Sequence, residues 1–282
     1  MRRQKTLSPL AVVIAALLFF TGCATQTPYI GTNPQNPQFE RGMPFPPLDF
    51  LGDMLSKLPQ LMLWNIRFGN HRISSETEQA VADFLSHYEV SDVKVRLNQW
   101  APHKELGRLF TNPHIGWPYK ILFFPSTLIT SLLARPFSGL LISDYYDPGT
   151  NSIHIFSDDA AIALHESGHA WDFSKQEYKG TYAFIRSVPG VDLFQENMAT
   201  DETLYYLEET GQYERLLKAY KVLYPAYATY IGAYISASPI ATVGALLFGH
   251  WYGRFTAKEK EWQLRTQGKW PEPGPSNRDL AE

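Results

Sequence analysis

Apolar positions recur at two different spacings along this chain, and together they predict an α+β fold. Positions 10–20 are a continuous apolar run that follows Arg2, Arg3 and Lys5. Positions 24–47 lose that pattern: six prolines stand among Asn, Gln, Thr and Gly, the composition of an extended linker. Leu48, Leu51, Leu55 and Leu58 fall at helical spacing with Met54 close by, which predicts a short amphipathic helix over 48–63, broken at Pro59. Ser74 or Ser75 caps a second helix running to about Tyr88, with Ala80, Phe84 and Leu85 inward. Positions 93–97 alternate Val, Lys, Val, Arg, Leu, the mark of a half-buried strand, and 105–110 form a short helical turn.

From 115 to 143 the only charges are Lys120 and Arg135, and Pro118, Pro125 and Pro136 divide the stretch into pieces too short to span a bilayer. It reads as core, with a membrane-facing flap as the alternative. Positions 140–146 and 152–156 are two strands joined by Asp147-Pro148-Gly149-Thr150-Asn151, so they form a hairpin. A helix follows over 160–173, and another helical pattern runs to about Leu207 and ends at Gly211. After a short helix over 214–223, positions 225–253 carry no formal charge. Small residues recur there at Ala237, Ala241, Ala245, Gly249 and Gly253, a face that permits close helix contact. Pro239 divides this run into two packed helices; a membrane-inserted hairpin is the alternative. The tail over 268–282 is frayed. No internal repeat is visible.

The chemistry concentrates in the helix over 160–173. His165-Glu166-Ser167-Gly168-His169 is an HExxH motif, and residues four apart share a helix face, so both imidazoles can hold one metal ion. Zinc suits two imidazoles and a carboxylate with one position left open. Glu166 stands beside that face, where it can take a proton from water. Gly168 is a poor helix former and predicts close backbone packing near the metal. For the third ligand, Glu196 shares a face with Ala199 and Thr200, and a small residue one turn away lets two helices approach. Asp201 and Glu202 are the competitors. Asp172, one turn after His169, can orient a ligand imidazole, and an aspartate at a helix end can equally be a surface residue. His154 lies on the strand before the helix and is left out of the site.

The run HESGHAWDF followed by ENMATDE resembles the gluzincin metallopeptidases, whose third zinc ligand is a glutamate on a second helix, and is most similar to the lethal-factor type. The match covers about a fifth of the chain, roughly 151–207. It implies a zincin-like fold: a small mostly antiparallel sheet, the active-site helix beneath it and a helical C-terminal half. By the same resemblance His165, His169 and Glu196 hold Zn2+, Glu166 is the base, and residues 151–156 border a substrate cleft. Two positions depart from the family pattern. Thr200 stands where an acidic residue usually follows the alanine, and Pro189 stands near where an oxyanion-stabilising tyrosine is expected, Tyr182 being the nearest upstream.

Composition adds an address. The basic start and the apolar run over 10–20 form a signal peptide ending in Phe20-Thr21-Gly22-Cys23, which resembles a bacterial lipobox with Cys23 lipidated. Cys23 is the only cysteine, which excludes intrachain disulfides. Ala24 after it points to an outer-membrane lipoprotein facing the periplasm. Removing residues 1–22 leaves 22 basic against 28 acidic residues, a net charge of −6, and no basic cluster points to nucleic acid. The expected organisation is therefore a signal peptide over 1–22, a lipidated linker over 23–47, one metallopeptidase domain over 48–267 and a tail. The expected function is a zinc-dependent peptidase acting on a peptide or protein, held to a membrane by its N-terminal lipid. The alternative is a non-catalytic envelope lipoprotein that binds protein or membrane through the same fold or its small-residue helices.

Overall fold

The computed structural model describes residues 29–139, 142–186, 188, 190–235 and 238–270. Five short strands make one sheet: β1 (Gly31–Thr32), β2 (Phe39–Arg41), β3 (Lys94–Leu97), β4 (Tyr145–Asp147) and β5 (Ser152–Ile155), in the order β1-β2-β3-β5-β4. β4 and β5 pair antiparallel, as the turn residues between them predict. The sheet as a whole is mixed, which corrects the expectation of a mostly antiparallel one: β2 with β3 and β3 with β5 are parallel. The reason is connectivity. Helices intervene between β2 and β3 and between β3 and β4, and long helical crossovers suit parallel pairing where tight turns do not.

The predicted linker is also corrected. β1 and β2 both fall within 24–47, and Phe39, Glu40 and Arg41 are buried. Two of the three β2 residues are charged, and each is neutralised by a partner distant in sequence. Glu40 pairs with Arg96 and Lys104, and Arg41 pairs with Glu78 at 2.5 Å. Signal peptide, lipobox and Cys23 lie outside the described residues, as does nearly all of the tail.

Ten helices stand among the described residues: α1 (Pro46–Leu55), α2 (Lys57–Leu63), α3 (Ser75–His87), α4 (Pro102–Thr111), α5 (Trp117–Leu133), α6 (Ala160–Ser174), α7 (Lys179–Ile185), α8 (Val191–Glu209), α9 (Tyr213–Ile235) and α10 (Pro239–Thr266). The break between α1 and α2 falls at Ser56 rather than Pro59. Ser56 is fully buried, and its hydroxyl lies 2.8 Å from the carbonyl oxygens of both Gly52 and Ser138, sharing its one hydrogen between them. Pro59 sits in the first turn of α2, where a missing N–H costs no helix bond. Ser74 caps α3 by accepting from the Thr77 amide at 3.3 Å.

α5 is inside out. It runs through Pro125 unbroken and buries Lys120, Thr127 and Ser131, while Trp117, Ile121, Leu122 and Ile129 are exposed. The expectation that this apolar stretch is core is therefore corrected. Lys120 donates to the Phe110 carbonyl at 2.8 Å and Thr127 to Asp147 at 3.1 Å, so buried polar bonds hold this helix down beside Tyr119 and Phe123, which pack on the core.

α9 and α10 pack as a pair through their small residues. A methyl on Gly253 would lie 2.4 Å from the Tyr220 carbonyl oxygen, and one on Gly249 would lie 2.6 Å from the Ala228 Cβ. Pro225, expected to begin a new segment, lies inside α9. No described helix is long and apolar enough to cross a membrane. The main core joins the sheet to α3, α6, α8 and α9 through residues such as Phe84, Val95, Ile153, Leu164, Leu207 and Leu216.

Candidate metal centre

The loop leaving β5 ends at Asp159, whose carboxylate caps α6 by accepting from the Ala161 amide at 2.9 Å and the Ile162 amide at 3.4 Å. Asn65 donates to its other oxygen at 2.9 Å and ties this cap to the chain after α2. α6 is buried on most sides, so its residues are fixed by packing all round. It meets α8 at Gly168. A methyl there would come within 3.0 Å of the Ala199 carbonyl oxygen and 3.4 Å of the Ala199 side chain. This is the close approach that both small residues predict.

That contact sets the distance between three side chains. His165 Nε2 donates to Glu196 Oε2 at 2.9 Å, and His169 Nε2 lies 3.3 Å from Glu196 Oε1. One ligand atom from each of the three residues lies within 4.8 Å of the other two. The competing acids on α8 are turned elsewhere. Asp201 is exposed and accepts from Asn197 at 2.7 Å, and Glu202 lies by the Tyr88 hydroxyl. Ala199→Leu is expected to cost about 1–3 kcal/mol, because the buried contact cannot take three more carbons without moving a helix. Urea unfolding reads that cost, and metal titration of the same protein reads the displacement of Glu196 from the imidazoles.

Charge at the centre favours a cation. Burial first, and then the nearby Arg186 guanidinium, lower His169 to about 3, so its imidazole is neutral and free to donate a lone pair. Burial works against the Glu196 carboxylate, but His169 and His165 outweigh it and hold it far below the usual range. Neutral imidazole with ionised carboxylate is the protonation state a divalent metal requires, so this donor set fits one. Glu166 behaves differently. Burial, Glu196 and Asp144 raise its carboxyl well above the usual range, against the weaker pull of Arg186.

The imidazole of His165 is oriented by Thr200, whose Oγ1 lies 3.3 Å from Nδ1. Asp172, expected to serve this purpose, accepts instead from the Tyr182 hydroxyl and from Gln176 at 3.0 Å. The Tyr182 hydroxyl is thereby engaged by Asp172. His154 is buried beside Glu105 at 3.3 Å and stacks on Tyr145, a structural position.

Three further residues at the centre carry no sequence signal strong enough to single them out. Asp144 lines the same cleft as His165, Glu166 and Glu196, and it is held by the amides of Phe156 at 2.6 Å and Ser157 at 2.8 Å. Tyr230, from α9, lines the same cleft; desolvation of its hydroxyl and the charges of Glu196 and Glu166 raise it well above the usual range. Arg186 donates to Glu196 Oε1 at 3.1 Å. Only Tyr230 had a hint, since Tyr220, Tyr224, Tyr227, Tyr230 and Tyr234 recur at helical spacing. Comparison of this chain with family models, with curated proteins and with solved structures finds no match.

Proposed function

We propose that this protein is a zinc-dependent hydrolase of peptide bonds, built on a zincin-like site and tethered to the cell envelope by a lipid on Cys23. One observation carries the reading. Two imidazoles one helical turn apart and a carboxylate from a second helix converge within 4.8 Å, with Glu166 lining the adjoining cleft. His165, His169 and Glu196 are the ligands. When bound, zinc supplies a Lewis acid that polarises the scissile carbonyl and makes water more acidic.

The chain's own groups do the rest. Glu166 holds a carboxylate that receives the proton of the attacking water and passes it to the leaving amine. Its raised affinity for protons suits a group that must take one up and give it back, and a nearby cation lowers that affinity. Tyr230, in the same cleft, presents an O–H to the negative charge that develops on the substrate oxygen. Thr200 fixes the His165 ring. The apolar walls, Leu63, Phe68, Val222 and Ala226 among them, exclude water and accept apolar side chains. The signal-like start and the lone cysteine support an outer-membrane location facing the periplasm.

The test is cleavage of a mixed peptide pool by the chain starting at Ala24. Cleavage is expected with zinc, lost on chelation and restored when zinc returns. Stoichiometric zinc with no cleavage across the pool would contradict the hydrolase reading and leave a metal-binding protein.

A further inference from the structure

The three ligands already face a cation that belongs to the chain. Arg186 follows α7, and its Nη2 lies 3.1 Å from Glu196 Oε1 and 3.5 Å from His169 Nε2. The guanidinium thus occupies the gap between two of the three ligand atoms. A guanidinium does not lose its charge in proteins, so Arg186 presents a cation to this gap at every ordinary pH. A divalent ion held by the same nitrogen and carboxylate would stand within a few ångströms of it. At that separation two cations repel strongly, and more so in a buried site than in water. Arg186 keeps a way out: its side chain is 26% exposed, whereas Glu196 is at 9% and His169 at 2%. The ligands are fixed by the α6–α8 contact, and the arginine is the part that can move.

We propose that Arg186 is a built-in counter-cation that competes with the metal for Glu196 and swings aside when the metal binds. This inference rests on the proposed metal site and adds a control to it. In the metal-free protein the buried Glu196 carboxylate keeps a charged partner, so the fold does not depend on the ion. The price is a weaker metal affinity than the three ligands alone give. Arg186→Met keeps the length and much of the apolar stem while removing the charge. Arg186→Lys keeps the charge but not the planar fork.

The experiment is zinc affinity by chelator competition on the chain starting at Ala24, which retains every described element of the sheet and core. Arg186→Met is expected to bind zinc at least tenfold more tightly than the parent, with Arg186→Lys between them. Thermal unfolding gives an independent readout: metal-free Arg186→Met melts lower than the metal-free parent, and zinc raises its midpoint by more. Zinc bound equally or more weakly by Arg186→Met overturns the competition while leaving the metal site standing. Zinc bound by neither protein overturns the metal site and this inference with it.

Discussion

Glu166→Gln is expected to lower peptide hydrolysis by at least a thousandfold while leaving zinc content unchanged. The substitution keeps the shape and the buried position of the side chain, and an amide cannot accept a proton at neutral pH. Glu166 is one residue from His165, so a change that disturbed the helix would also disturb His165 and His169; the isosteric amide avoids this. A thousandfold corresponds to about 4 kcal/mol of barrier, in the middle of what one positioned acid–base group supplies. The expected pattern is a fall in kcat at constant zinc stoichiometry. Equal activity in the amide variant would remove Glu166 from the chemistry and move the proton transfer to Asp144, the buried carboxylate lining the cleft besides Glu166 and Glu196.

The second large effect concerns stability rather than catalysis. Glu105→Ala is expected to cost about 3 kcal/mol, because it strips a buried arginine and a buried histidine of a shared partner. Glu105 accepts from Arg96 Nε at 2.7 Å and lies 3.3 Å from His154, joining α4 to β3 and β5. Arg96 keeps Glu40, which limits the loss. The same cluster predicts a pH dependence. Burial opposes the Glu105 carboxylate, but His154, Arg96 and Ser152 outweigh it and hold it at about 2. A carboxyl whose folded value lies below its unfolded value stabilises the fold above the unfolded value, and that stability is lost as pH falls toward the folded one. The window is therefore from about 4.5 down to about 2, and the amount is roughly 3 kcal/mol. Urea unfolding across this range is expected to show a shallower pH slope in Glu105→Gln than in the parent. Identical slopes would mean that another carboxylate dominates acid unfolding.

What was legible in the sequence divides by range. The HExxH spacing places His165 and His169 on one helix face without help from the rest of the chain. The turn residues at 147–151 specify β4 and β5 in the same local way. Gly168 and Ala199 were readable as a close helix contact because only small residues permit one, and that contact carries Glu196 to the imidazoles. Features that depend on distant partners were hidden. β2 lies in a proline-rich stretch, and its charges are paired by Arg96, Lys104 and Glu78. α5 reads as core because its composition is apolar, yet the residues it buries are the polar ones with bonds to make. Arg186 sits just beyond a seven-residue helix with no periodicity to mark it, so only the folded chain brings it to Glu196.

The central claim is that three side chains from α6 and α8 hold one metal. It is tested most directly by zinc per chain in the protein starting at Ala24, beside the same protein carrying Glu196→Ala. Close to one zinc per chain is expected in the parent, with a sharp fall in the variant. A folded parent that takes up no zinc, or a variant that keeps all of it, would contradict the site described.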